Sequence, residues 1–160
     1  MNVGKIHLVF FCNAAQTISG TEKTALMLQK GLDRSFFDVR FIMNGYGPFY
    51  DALQEDGADV EVIKSECRYS FNWHKKIIKS LSFRPADVVQ LHASRINALF
   101  LRKHISACFV ERLNMYRHNS FLYPMRWKWL DRQMSRYIHH FIVVSESLKN
   151  HFLNRGYPAD

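Results

Sequence analysis

Lys5-Ile6-His7-Leu8-Val9-Phe10-Phe11, then a polar loop, then Ser19-Gly20-Thr21-Glu22 ahead of Ala25, Leu28 and Leu32: the fold is decided in this opening stretch. The first run is short and apolar at successive positions in its second half, the pattern of a strand covered on both faces. The tetrad after the loop is a helix start. Ser19 can cap, and Glu22, three residues on, can reach back to the cap as in a capping box. The helix is expected to run to about Leu32, with Ala25, Leu28 and Leu32 on one side.

The same unit recurs along the chain. Phe37–Met43 reads as a second strand, broken by Gly45-Tyr46-Gly47-Pro48, and a short helix follows from Phe49 to Glu55, ending at Gly57. Asp59–Ile63 is a third strand, Trp73–Leu81 a helix, and Asp87–His92 a fourth strand after Pro85. A helix from about Ser94 to His104, a strand over Ala107–Arg112 and a long helix over about Phe121–Tyr137 come next. His140–Val144 is a sixth strand, and Glu146–Asn154 a closing helix that stops at Gly156-Tyr157-Pro158. Six strands separated by helices imply parallel pairing with right-handed crossovers. The predicted fold is a single α/β domain: a doubly wound, mainly parallel Rossmann-like sheet with helices on both faces. Ligands of such sheets sit beyond the carboxyl ends of the strands. The functional rim is therefore expected at Asn13–Thr21, Asn44–Pro48, His92–Arg95, Arg112–His118 and Ser145.

Composition narrows the possibilities further. With 160 residues, 48% of them hydrophobic, the chain can bury one core of ordinary size. The three cysteines, Cys12, Cys67 and Cys108, are widely spaced and form no Cys-x-x-Cys pair, so reduced thiols are expected rather than a disulfide framework or zinc ribbon. The seven glycines give neither G-x-G-x-x-G nor a P-loop, and H-E-x-x-H and G-x-S-x-G are lacking. His139 and His140 are adjacent at a strand start, where their rings point to opposite faces, so no metal site is expected. The N-terminus has no signal-peptide pattern and no apolar run approaches a bilayer's thickness. A cytoplasmic protein, bound to a membrane at most at its surface, is the expectation.

The ordered pieces carry a resemblance. After S-G-T-E come L-x-x-x-L at 28–32, F-D-V-R-F-I at 37–42, L-Q-E-D-G-A-D-V at 53–60, P-A-D-V-V-Q-L-H at 85–92, I-V-V-S-E-S-L-K-N-H-F at 142–152 and R-G-Y-P at 155–158. The set resembles the N-terminal half of the retaining GT-B glycosyltransferases, the family-4-like, group 1 type that includes sucrose, mannosyl and lipopolysaccharide-core transferases. The resemblance implies a second Rossmann-like domain carrying most of the nucleotide-sugar site and an E-x₇-E motif; no two glutamates here have that spacing. This chain would supply the acceptor pocket and one wall of the cleft. Sugar would pass from a nucleotide-sugar donor to a saccharide or lipid-linked acceptor, in cell-envelope polysaccharide synthesis, with configuration retained and with neither metal nor cofactor.

Carried over residue by residue, the resemblance places Gly20 near the donor diphosphate, although Ser19 stands where the family has its first glycine. Glu22 matches the family's acidic residue and equally serves a capping box. His92 matches a strand-end histidine, and Ser145-Glu146 the strand end before the linker, where Ser145 is also a good helix cap. Where the family has T-x-H against the transferred sugar, this chain has Glu111-Arg112-Leu113-Asn114, leaving Arg112 or Asn114 for the polar contact. A non-enzymatic nucleotide- or protein-binding module of the same fold is the alternative.

The net charge of +8 is concentrated between Arg95 and Tyr137, where nine basic residues face only Glu111 and Asp131. In the helix expected over Phe121–Tyr137, Tyr123, Trp127, Leu130, Met134 and Tyr137 form a core stripe. Lys128, Arg132 and Arg136 lie opposite, with Phe121, Met125 and Trp129 among them. Such a face suits an anionic membrane surface. It equally suits packing under the loop Met115–Ser120 or against a second domain; nucleic acid is the least favoured partner.

Overall fold

The computed structural model describes residues 4–13, 17–65, 71–91, 95–112, 133–154 and 157. Six strands alternate with helices: β1 (Ile6–Cys12), α1 (Gly20–Gly31), β2 (Phe37–Met43), α2 (Pro48–Glu55), β3 (Asp59–Val62), α3 (Phe71–Phe83), β4 (Val88–Leu91), α4 (Arg95–Leu101), β5 (Cys108–Arg112), β6 (His140–Ile142) and α5 (Glu146–Leu153). All pairs are parallel, in the order β3-β2-β1-β4-β5-β6. This is the doubly wound Rossmann-like sheet expected from the sequence.

Its two faces have separate cores. Phe10, Cys12, Phe41 and Met43 point to one face and pack with Ala25 of α1 and Phe49 and Leu53 of α2. Val9, Phe11, Val89, Leu91 and Phe109 point to the other, under Trp73, Ile77 and Leu81 of α3 and Ala98 and Leu101 of α4. A small third cluster seats Leu148 and Phe152 of α5, with Tyr157, against Phe141 and Val143. Aromatic packing fixes the first core: Phe10 stacks on Phe41 at 5.0 Å between centroids, and Phe41 meets Phe49 edge-on at 6.4 Å. Each fully buried phenylalanine contributes about 1.5–3 kcal/mol.

Element ends differ from expectation by a few residues. α2 begins at Pro48, since a proline fits the first helical position, where its missing N–H has no partner to lose. It ends in a Schellman turn: Gly57 has φ +67°, its N–H donates to the Gln54 carbonyl (3.0 Å), and the Ala58 N–H donates to the Leu53 carbonyl (2.9 Å). α4 stops at Leu101, three residues before the expected His104, because the His104 and Ile105 N–H groups both turn back to the Leu101 carbonyl. β6 ends at Ile142, short of Val144. Of the long helix expected over Phe121–Tyr137, residues 133–135 are helical and a turn follows; the rest lies outside the described residues. Tyr137 and Ile138 pack against the core, as the apolar stripe requires.

Candidate functional site

In this strand order the connections leave β1 and β4 toward opposite faces, since α1 and α4 belong to different cores. Beyond Cys12 and Leu91, where they part, is the position at which doubly wound sheets hold ligands. Asn13 and Asn44, each the residue after its strand, frame one side. The Asn44 Nδ2 donates to the Asn13 Oδ1 at 3.1 Å, and the Asn44 carbonyl accepts from the Ser65 N–H at 3.4 Å. The exits of β1, β2 and β3 are thereby tied together. Both asparagines fell within the expected rim, but a bond between residues 31 positions apart leaves no mark in sequence spacing.

The α1 start has the predicted form. The Ser19 N–H donates to Glu22 Oε2 (3.0 Å), the Ser19 hydroxyl donates to the same oxygen, and the Ser19 carbonyl accepts from the Lys23 N–H (2.9 Å). The Glu22 carboxylate is thus held as a cap. It also stands near the end of β1: burial first, and the Glu22 charge second, push the Cys12 thiol far above its ordinary value. Gly20 behaves differently. Its φ is not in the left-handed region, and a Cβ built on it would meet nothing within 4 Å. Neither backbone geometry nor packing requires a glycine there. The Gly20 amide stands at the exposed N-terminus of a helix, where anions are favoured.

Arg112 is the last residue of β5, half-buried and paired with Ile142, so it does lie on the carboxyl-end rim. Its neighbour Glu111 is buried on the face that carries Phe109. Ser145 caps α5, its Oγ accepting from the Leu148 N–H at 3.2 Å, which leaves the hydroxyl proton available. His92 and Asn114, and Lys128, Trp129 and Arg132 of the basic helix, lie outside the described residues. Arg136 is exposed, and it lies before β6, at the end of the sheet opposite the rim. The structure brings Ser19, Gly20 and Glu22 together and sets Arg112 and Ser145 on the same rim.

Two polar clusters escaped the sequence reading. Arg40, in the middle of β2, is only 4% exposed. Its guanidinium donates to the Arg84 carbonyl (3.0 Å) and lies 3.4 Å from both Glu61 Oε2 and Ser80 Oγ. Burial, and then the Arg84 charge, hold it below its ordinary value, opposed by Glu61, Asp59 and Asp38. Between α3 and α4, the buried His74 Nε2 and Asn97 Oδ1 are 3.1 Å apart. Both clusters brace the scaffold. Among the described residues, no group of three His, Cys, Asp or Glu side chains converges on a metal-sized site, and no helix is long and apolar enough to cross a membrane.

A parallel six-stranded sheet of this order is Rossmann-like, and it matches the N-terminal domains of GT-B glycosyltransferases. A Rickettsia africae glycosyltransferase structure superposes with a TM-score of 0.77 at 19% identity, over 98% of this chain and 41% of that one. Anabaena Alr3699/HepE, solved with UDP and glucose, gives 0.73 at 14% identity, over 96% and 42%. A Listeria monocytogenes protein described as a UDP-N-acetylglucosamine 2-epimerase gives 0.68 at 11% identity, over 98% and 44%. At such identities the likeness is one of fold, and the chain spans about two fifths of the length of these structures. No curated protein matches the sequence. The family comes from the sequence itself: residues 18–160 match the model of Glycosyltransferase Family 4, and the chain belongs to that family.

Proposed function

We propose that this chain is the acceptor-side domain of a retaining glycosyltransferase, moving a sugar from a nucleotide-sugar to a saccharide or lipid-linked acceptor in cell-envelope polysaccharide synthesis. The observation that carries the proposal is the family match over 18–160, which favours sugar transfer over an epimerase or a binding module sharing the sheet. The room beside Gly20 at the start of α1, where a Cβ would meet nothing within 4 Å, supports it by leaving space for a diphosphate at a helix N-terminus. Anabaena Alr3699/HepE, the similar structure named above, was solved with UDP-glucose, which makes a uridine diphosphate sugar the first donor to try.

In this proposal a second domain supplies most of the donor site, so this domain alone is inactive. The leaving diphosphate takes the acceptor proton, and the protein acts by position and charge. Arg112, on the rim, supplies positive charge or hydrogen-bond donors to the reacting groups. The enzyme works in the cytoplasm, on the inner face of the membrane, with Lys128, Trp129, Arg132 and Arg136 on anionic lipid.

The test is incubation of the full-length protein with UDP-sugars and a panel of saccharide and lipid-linked acceptors, reading UDP release and the anomeric configuration of the product by NMR. Transfer with retained configuration is expected. UDP-sugar epimerisation without transfer, or nucleotide binding with no turnover across the panel, would return the chain to the other readings. Liposome flotation addresses the membrane separately: binding to anionic vesicles should be lost in Lys128→Ala/Arg132→Ala/Arg136→Ala.

A further inference from the structure

Beyond the β3 edge of the rim lies a surface that the sequence reading did not single out. A cavity of about 370 Å³ is lined by Tyr46, Glu61, Val62, Ile63, Lys64 and Lys76. Tyr46 follows β2, Lys64 follows β3 and Lys76 lies on α3, so three consecutive units of the fold converge there. The Tyr46 ring is 56% exposed and is held edge-on to Tyr50, centroids 4.9 Å apart. The Lys64 ammonium rests over that ring at 4.8 Å. Among the described residues neither Lys64 nor Lys76 has a carboxylate partner. The one carboxylate in the lining, Glu61, is already engaged, accepting from Ser80 Oγ at 2.5 Å and lying 3.4 Å from Arg40. Among the described residues the pocket therefore holds two ammonium groups without a carboxylate partner beside an exposed aromatic ring. α3 adds to the field, carrying Lys75, Lys76 and Lys79 and no acidic residue.

An aromatic ring offers a flat apolar face to the C–H side of a sugar, and a lysine ammonium offers donors to a carboxylate or phosphate. With strands about 4.8 Å apart, the end of β3 stands roughly 10 Å from the end of β1, about the span of two linked sugar rings. We infer that the Tyr46–Lys64–Lys76 pocket is an acceptor subsite for a monosaccharide bearing an anionic group, a carboxylate or a phosphate, one unit away from the sugar that is extended. Lys64 leaves the Tyr46 ring for the incoming anion and uncovers the ring for the sugar. This inference rests on the glycosyltransferase reading for the word acceptor, but the binding it describes does not need turnover.

The test uses ligand-observed saturation-transfer NMR on the full-length protein, with glucuronate, glucose 6-phosphate, glucose and inorganic phosphate as probes. Glucuronate and glucose 6-phosphate should show transfer, with the carboxylate and phosphate arms ranking the two anions, and glucose should show little. In Lys64→Ala/Lys76→Ala the signals of both anionic sugars should fall at least fivefold, and in Tyr46→Ala they should fall while circular dichroism stays unchanged. Equal signals in wild type and the double variant would overturn the inference, as would glucose signals matching the anionic sugars. Inorganic phosphate displacing both sugars, with Tyr46→Ala silent, would overturn it as well, leaving an anion site with no sugar platform. A protein that binds these probes through the lysines yet transfers no sugar keeps the pocket and loses the glycosyltransferase reading, so the two failures are told apart.

Discussion

Gly20→Ala separates the two reasons a glycine can stand at a helix start. In this fold the substitution is free of steric cost, because the new Cβ meets nothing within 4 Å and the backbone is not left-handed. Removing a glycine's freedom from the unfolded chain then stabilises the protein by about 0.4–1 kcal/mol. For a domain of this size that is a rise in Tm of roughly 1–4 °C. The ligand side runs the other way. An anion on the helix start makes N–H···O contacts of about 2.7–3.2 Å, too close to admit a methyl group pointing into the same space. Losing one hydrogen bond to a charged group costs about 1.5–3 kcal/mol, or roughly a 10- to 150-fold weakening of UDP binding. Thermal unfolding and calorimetric UDP titration of the full-length protein read the two sides independently. A fall in Tm would refute the account of the backbone. An unchanged UDP affinity would refute the placing of a diphosphate at Gly20 and would leave that glycine without a role.

Four other expectations follow from the packing and the chemistry. Gly57→Ala forces a side chain into the left-handed turn that ends α2 and should destabilise by about 1–2 kcal/mol in denaturant titration. Trp73→Phe removes the buried Nε1 donor to the Ile63 carbonyl, 2.6 Å away, and should cost about 1–3 kcal/mol by the same measurement. Burial and the Glu22 charge raise the Cys12 thiol, so little thiolate exists at pH 8; Cys12 should resist a thiol reagent in the native protein and react fully in guanidinium, as mass spectrometry of the labelled peptide would show. Transfer should persist in excess EDTA, since the proposed mechanism assigns no part to a metal; a complete loss restored by one divalent cation would contradict that.

The fold was legible because this sheet announces itself twice. Strands such as Val39–Met43 are apolar at nearly every position, as strands covered on both faces must be, and the helices between them carry one-sided stripes and caps. Arg40 shows where that logic stops. Its guanidinium sits inside an otherwise apolar strand, and it is buried because Glu61 of β3 and Ser80 and the Arg84 carbonyl at the end of α3 meet it. The capping box at Ser19 and Glu22 was readable because its partners are three residues apart. The Asn13–Asn44 bond, and the meeting of Tyr46, Lys64 and Lys76, were not, since each joins elements that only the β-sheet register brings together. The basic charge was read as a feature of Arg95–Tyr137, which drew notice away from the lysines of α3.

The β1–β4 seam has a consequence for how the domain is assembled. The register sets Leu8 beside Val88, eighty positions along the chain, whereas β1, β2 and β3 follow one another with a single helix between neighbours. The first half can therefore organise through near-neighbour contacts, while joining it to the second half requires closing a long loop, the slower kind of step. A ligand lodged beyond Cys12 and Leu91 touches both halves across that joint. It would act as a clasp on the longest-range pairing among the described strands, so that occupancy stabilises the seam against opening.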